Sequence, residues 1–204
     1  MWILGYHMTL MPTGALYDMM HLPQFLSLSP RIEYLRLDLW WQPPDIIFEI
    51  VPLTPCLTTL QISFQELPDA SEINAIFEAF GHDGTSTSST STLPKLQHFK
   101  LDVLQTPRTH RPPLAYDAEK LLRMLGSRCK PNPNQLRLGD HTVAVLRTFV
   151  MNQSDFHTGI LVDLPPWPWE IEVKQRLEAL REQGLALGGN ILMTLLDSGS
   201  FAQS

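Results

Sequence analysis

The chain has 204 residues, of which 44% are hydrophobic and 18% charged, with a formal net charge of −6. That composition suits a folded chain long enough for one continuous core. The acidic balance and the lack of any Lys/Arg cluster exclude a nucleic-acid binder, which needs a basic face to neutralise phosphates.

Residues 1–10 are apolar but carry no basic leader and are too short to span a bilayer, so no membrane segment is expected. They read as a first strand, with Ile3, Tyr6 and Met8 spaced L-x-x-L-x-L. On that reading the chain opens on a strand with no polar cap before it, as a shortened solenoid would. Residues 14–28 follow as a helix with Leu16, Met19, Met20, Phe25 and Leu26 inward, interrupted near Pro23.

The next stretch is the one that repeats. Ser-Pro-Arg-Ile-Glu-Tyr-Leu-Arg-Leu at 29–37 returns as Thr-Pro-Cys-Leu-Thr-Thr-Leu-Gln-Ile from Thr54 and as Leu-Pro-Lys-Leu-Gln-His-Phe-Lys-Leu from Leu93. In each copy a proline precedes apolar residues spaced L-x-x-L-x-L: Ile32, Leu35, Leu37; Leu57, Leu60, Ile62; Leu96, Phe99, Leu101. This is the pattern of a leucine-rich-repeat strand, and Ile32 to Leu57 spans 25 residues, inside the range of such repeats. A fourth copy reads at Leu146, Phe149 and Met151. The pattern predicts parallel strands at 32–38, 57–63, 96–102 and 146–152, side by side in one sheet, with Leu35, Leu37, Leu60, Ile62, Phe99 and Leu101 in the core.

Between the strands the sequence predicts helices. Residues 45–51 carry Ile47, Ile50 and Val51 at helical spacing. Asp69 as N-cap with Glu72 as capping-box partner opens a helix whose inward stripe is Ile73, Ile76, Phe77 and Phe80, stopped by Gly81. The Ser/Thr-rich run within 81–92 is a flexible insertion that has no apolar area to bury, with a phosphorylated switch loop as the sharper alternative. It accounts for the step of 39 residues from Leu57 to Leu96. Past the prolines of 107–113, Asp117 opens a helix with Ala118, Leu121, Leu122, Leu125 and Cys129 inward. The step of 50 residues from Leu96 to Leu146 implies a doubled unit or a long irregular crossing, and Leu136 with Leu138 marks a further short strand. Pro165 to Trp169 is a stiff lead-in, or a polyproline-like ligand, before a helix over 170–183 with Val173, Leu177 and Leu180 inward and Gly184 as its C-cap. A last strand follows at 185–187. The fold expected is therefore α/β: a leucine-rich-repeat-like solenoid with a parallel curved sheet and helices on its outer side. It forms one irregular domain over 1–189, with a loosely ordered tail at 190–204.

The proline-led strands, together with Glu119-Lys-Leu-Leu-Arg-Met-Leu-Gly-Ser-Arg128 and Arg176-Leu-Glu-Ala-Leu-Arg-Glu-Gln-Gly-Leu185, resemble the leucine-rich-repeat portion of fungal F-box-type proteins, from about Leu22 to Gly188. That resemblance implies the target-recognition module of a ubiquitin-ligase subunit. The N-terminal F-box, which in that family docks the ligase adaptor subunit, has no counterpart in these residues. An adaptor is therefore a partner only if an F-box exists outside this chain.

For chemistry, the chain holds no G-x-G-x-x-G, phosphate loop, H-E-x-x-H, G-x-S-x-G or paired C-x-x-C. Ser154, Asp155 and His157 are triad residue types, but sequence neighbours rarely form a triad, and a polar turn explains them. His82, His98, His110 and Cys129 lack metal-ligand spacing. Cys56 and Cys129, with no secretory segment in view, read as reduced and buried in an intracellular protein, cytoplasmic or nuclear. No catalytic residue, cofactor or metal is expected.

The reading is of a protein-protein interaction module with an unknown protein partner. An enzyme or small-ligand protein with a site built from loops is the alternative. Alternation places positions three, five and seven of each phrase, counted from its first apolar residue (Ile32, Leu57, Leu96), on the face away from the core. Stacked repeats then form three columns: Tyr34, Thr59, His98; Arg36, Gln61, Lys100; Asp38, Ser63, Asp102. From these columns Tyr34, Arg36, Asp38, Gln61, His98, Lys100 and Asp102, with Trp40 as the outward ring of the Trp40–Trp41 pair, are the candidate partner-binding set. A solvated surface of weak ion pairs, worth at most about 1 kcal/mol each, explains the same charges.

Overall fold

The structure, a computed structural model, describes residues 6–10, 22–39, 45–81, 93–105, 114–129, 143–155, 171–190 and 192. The helix expected before residue 22, Trp40 and Trp41, the Ser/Thr-rich run, the prolines of 107–113, the strand at Leu136–Leu138 and the lead-in at 165–169 lie outside the described residues.

The repeated phrase folds the same way each time, and its proline explains the start. Ser29, Thr54 and Leu93 each accept a hydrogen bond from the residue three positions on, Ile32 N at 3.3 Å, Leu57 N at 3.1 Å and Leu96 N at 3.2 Å. Pro30, Pro55 and Pro94 therefore occupy the second position of a β-turn, where a φ fixed near −65° is already the right one. The first apolar residue of each phrase closes the turn and is buried, and the strand follows. The strands are β1 (Tyr6–Leu10), β2 (Ile32–Leu39), β3 (Thr59–Phe64), β4 (His98–Gln105), β5 (Thr148–Asp155) and β6 (Ala186–Gly188). Apart from β2, those expected from the repeat begin two residues later than expected, because Leu57, Leu96 and Leu146 belong to the turn or lead-in. The four repeat strands all run further at their far ends.

The six strands lie in sequence order in one sheet, every neighbouring pair parallel. Register follows the phrase: Leu35 aligns with Leu60, Phe99 and Phe149, and Leu37 with Ile62, Leu101 and Met151. All eight are at most 1% exposed. β4 pairs directly with β5, so the long step between them is a single unit. β1 differs from expectation. Met8 aligns with Leu35 and Leu10 with Leu37, two residues along from the spacing read in the sequence, with a register irregularity between Tyr6 and His7. A two-residue displacement leaves the alternation between faces unchanged, so hydrophobic pattern alone could not distinguish the two registers.

The connections carry α1 (Leu22–Ser27), α2 (Asp45–Ile50) with a 3-10 turn at Val51–Leu53, α3 (Ala70–Phe80), α4 (Ala118–Cys129) and α5 (Ile171–Glu182). Their buried residues join the inward strand residues in one core cluster, so these helices cover one face of the sheet. The capping box of α3 forms as expected. Asp69 accepts from Glu72 N at 2.9 Å while the Glu72 carboxylate accepts from Asp69 N at 2.8 Å, and Ile73, Ile76, Phe77 and Phe80 are buried. Gly81 ends α3 with φ −65°, outside the left-handed region. Gly184 makes the glycine stop at α5: its φ is +96°, and Leu185 N donates to Leu180 O at 3.1 Å. Ion pairs link successive helices, Lys120 of α4 to Glu78 of α3 at 2.7 Å, and Arg176 of α5 to Glu119 of α4 through both carboxylate oxygens.

Four side chains depart from expectation. Phe25 is 49% exposed, because Leu22 and Leu26, one turn apart, take the inward face of the short α1. Cys56 and Cys129 are free thiols but only half-buried; burial still pushes the Cys129 thiol up to about 11, which keeps it protonated and unreactive at neutral pH. At the end of α4 the inward residue is Arg128, 2% exposed. Its guanidinium donates from Nε to Phe80 O at 2.7 Å and from Nη1 to Leu93 O at 2.9 Å. Arg128 thus ties together the two backbone ends that flank residues 81–92. Leu93 has φ +61°, a left-handed conformation unfavourable for a side chain with a Cβ. Its anchored carbonyl and buried side chain hold it there.

Beyond β6 the chain stays attached. Asn190 accepts from Gln153 N at 2.8 Å and donates to Gln153 O at 2.7 Å, so its side-chain amide imitates a neighbouring strand, and Leu192 is fully buried. Two residues assigned by sequence to a loose tail are therefore held by the sheet and the core.

Candidate interaction face

The face of the sheet opposite the core presents the predicted columns in register. Tyr34 pairs with Thr59, Thr59 with His98 and His98 with Thr148; Arg36, Gln61, Lys100 and Val150 form the second row; Asp38, Ser63, Asp102 and Asn152 form the third. Thr148, Val150 and Asn152 were not among the candidates, although positions three, five and seven of the fourth phrase would have named them. His7 and Thr9 of β1 take the register positions beside Tyr34 and Arg36. Trp40 falls outside the described residues.

Exposure declines along the strands. His98 in the first row is exposed, and Tyr34 and Thr59 are partly so. In the second row the side chains of Arg36 and Lys100 are 34% and 41% exposed. In the third, Asp38 is 4%, Ser63 1% and Asp102 8% exposed. The expectation of three outward columns therefore needs correction. The acidic residues lie on the outward register, yet they are buried beneath the basic ones and are unavailable as direct contacts.

What holds the Asp102 carboxylate there is a chain of hydrogen bonds across four strands. Tyr34 Oη donates to Gln61 Oε1 at 3.3 Å, and Gln61 Nε2 donates to Asp102 Oδ2 at 3.0 Å. Asp102 also accepts from Lys100 Nζ at 2.8 Å and, through Oδ1, from Asn152 Nδ2 at 2.8 Å. Asn190 N then donates to Asn152 Oδ1 at 3.3 Å. Asp102 is the hub, a buried charge made tolerable by three donors. Asp38 is less well served: Oδ1 accepts from Arg36 Nε at 3.1 Å, while the buried Oδ2 has no hydrogen-bond partner among the described residues. In the first row His98 Nδ1 lies 3.1 Å from Thr148 Oγ1.

The arrangement fixes side chains rather than activating them. Among the described residues no group of three or more His, Cys, Asp or Glu side chains could hold a metal ion, and no helix is long and apolar enough to cross a membrane. Among the described residues, a surface depression is lined by Glu178, Arg181 and Glu182 of α5, away from this face. Ser154 is buried on β5, while Asp155 ends the strand and His157 lies outside the described residues. No protein-family model, curated protein or solved structure matches the chain.

Proposed function

We propose that this chain is a protein-protein interaction module, a leucine-rich-repeat-like solenoid whose sheet face recognises another intracellular protein. The observation that carries the reading is the register of the rows. Equivalent residues of successive phrases align strand by strand, so one face is core throughout and the other presents two aligned rows that are polar on β2, β3 and β4. Stacked repeats commonly bind through such a surface, because it is broad and its side chains vary without disturbing the core. The preset hydrogen-bond chain adds to this, since side chains already ordered lose less entropy on binding.

The resemblance to F-box-type proteins extends the proposal to the target-recognition part of a ubiquitin-ligase subunit, with an adaptor as partner only if an F-box exists outside these residues. The test is simultaneous charge reversal of Arg36 and Lys100 in the full-length gene product, followed by thermal melting and by affinity capture from cells. Loss of specific partners with an intact fold is the expected result. Unchanged partners with an intact fold would remove this face as the site, and recovery of a ligase adaptor in the same capture would decide the ligase question.

A further inference from the structure

The hydrogen-bond accounting of the face points to the chemistry of its partner, on the premise that the face is a binding surface. Its carboxylate and amide acceptors are either consumed or buried out of reach. The Asp38 and Asp102 carboxylates are buried, their side chains 4% and 11% exposed, and both ends of the Gln61 amide are committed, to Tyr34 and to Asp102. Its donors are not. Arg36 uses only Nε, leaving Nη1 and Nη2 without a hydrogen bond among the described residues, and Lys100 spends one bond on Asp102. Each ion pair stands with its anion underneath and its cation toward solvent, so a neutral pair shows a positive tip.

We infer that Arg36 and Lys100 receive the carboxylates of an acidic, extended segment of a partner protein. The two cations occupy the same row on β2 and β4, with Gln61 of β3 between them. Two strand spacings put their backbones about 9.6 Å apart. Residues three apart in a polyproline-like segment lie on one side at about 9.3 Å. An acidic pair in the pattern Glu-x-x-Glu, or its aspartate equivalents, therefore meets both cations at once, and the planar Arg36 fork suits a carboxylate. The chain's overall charge of −6 opposes an acidic partner at long range. That repulsion is screened beyond about 8 Å at physiological salt, so recognition depends on this local contact.

The test selects a displayed library of random peptides on the immobilised full chain and maps the winners by amide chemical-shift changes. The expected winners carry two acidic residues three apart and shift the amides around Tyr34, Arg36, Gln61 and Lys100. Replacing both acids by Gln or Asn should weaken binding at least about tenfold, as should the double variant Arg36→Gln, Lys100→Gln, which keeps a donor for each aspartate. Because the peptide substitutions use the unaltered protein, the result stands even if that variant fails to fold. Uncharged or basic winners that shift the same amides would overturn the acidic inference and leave the interaction face standing. Winners that shift other residues, or no enrichment at all, would overturn both. Amide shifts at this row that change on dilution of the protein alone, with matching sedimentation, would assign the face to a second copy and overturn the inference.

Discussion

Replacing Arg128 by Met tests the tie between α4 and the two chain ends flanking residues 81–92. The Met side chain keeps an apolar stem in the same space but cannot donate to Phe80 O or Leu93 O, the acceptors at 2.7 and 2.9 Å. A hydrogen bond from a charged donor contributes about 1.5–3 kcal/mol, so losing two removes about 3–6 kcal/mol. That is a large share of the roughly 5–15 kcal/mol that holds a domain folded. Burial pulls the Arg128 pKa down to about 10, still far above neutrality, so the group is charged in the folded protein at any ordinary pH. Arg128→Lys keeps the charge but replaces the planar fork with one point of donation, and it should recover only part of the loss. Urea denaturation followed by circular dichroism should show a lower midpoint at unchanged slope. The melting temperature should fall by at least about 6 °C, at about 2–4 °C per kcal/mol for a chain of this size. An Arg128→Met protein within about 1 kcal/mol of the parent would refute the reasoning, because buried carbonyls left unpaired carry a cost of about 1–3 kcal/mol each.

Three further predictions concern other parts of the chain. A Cβ at Gly189 would lie 2.2 Å from Met151 O at a φ of +96°, whereas one at Gly126 on α4 meets nothing within 4 Å. Gly189→Ala should therefore lower the melting temperature sharply and detach Asn190 from Gln153, while Gly126→Ala should gain about 0.5–1 kcal/mol; equal effects in calorimetry would contradict the close approach. Asp102→Ala leaves Lys100, Gln61 and Asn152 without their shared acceptor and should cost about 2–4 kcal/mol in urea, with a loss under about 1 kcal/mol arguing against Asp102 as a hub. The Arg176 hydrogen bond holds the Glu119 carboxyl below its ordinary value. A depressed carboxylate stabilises above its unfolded pKa of about 4.3 and loses that contribution as pH falls through the folded value. The melting difference between parent and Glu119→Gln should thus be present at neutral pH and shrink in acid, and a difference independent of pH would refute it.

The phrase Pro-x-L-x-x-L-x-L determined by itself the turns, the parallel order and the core positions, because each depends on local geometry. Proline sets a turn, alternation assigns faces, and repetition fixes register between neighbours from β2 to β5. The Asp69 and Glu72 capping box and the Gly184 stop were legible for the same reason, since their partners lie within a few residues. What the tertiary structure alone decided involves groups brought together from afar. Asp38 and Asp102 lie on the outward register by parity, yet both are buried, Asp102 among donors from its own and neighbouring strands and Asp38 against Arg36 of its own strand. Arg128 lies one turn beyond Leu121 and Leu125 on the inward stripe of α4, a position that pattern assigns to an apolar residue. A guanidinium can occupy it because folding delivers two carbonyls, Phe80 and Leu93, that the sequence places 48 and 35 residues away. Asn190 behaves likewise, an apparent tail residue until the turn at Gly189 brings its amide against Gln153. Periodicity records which side a residue faces, whereas burial of a polar group depends on partners whose distance along the chain leaves no periodic trace.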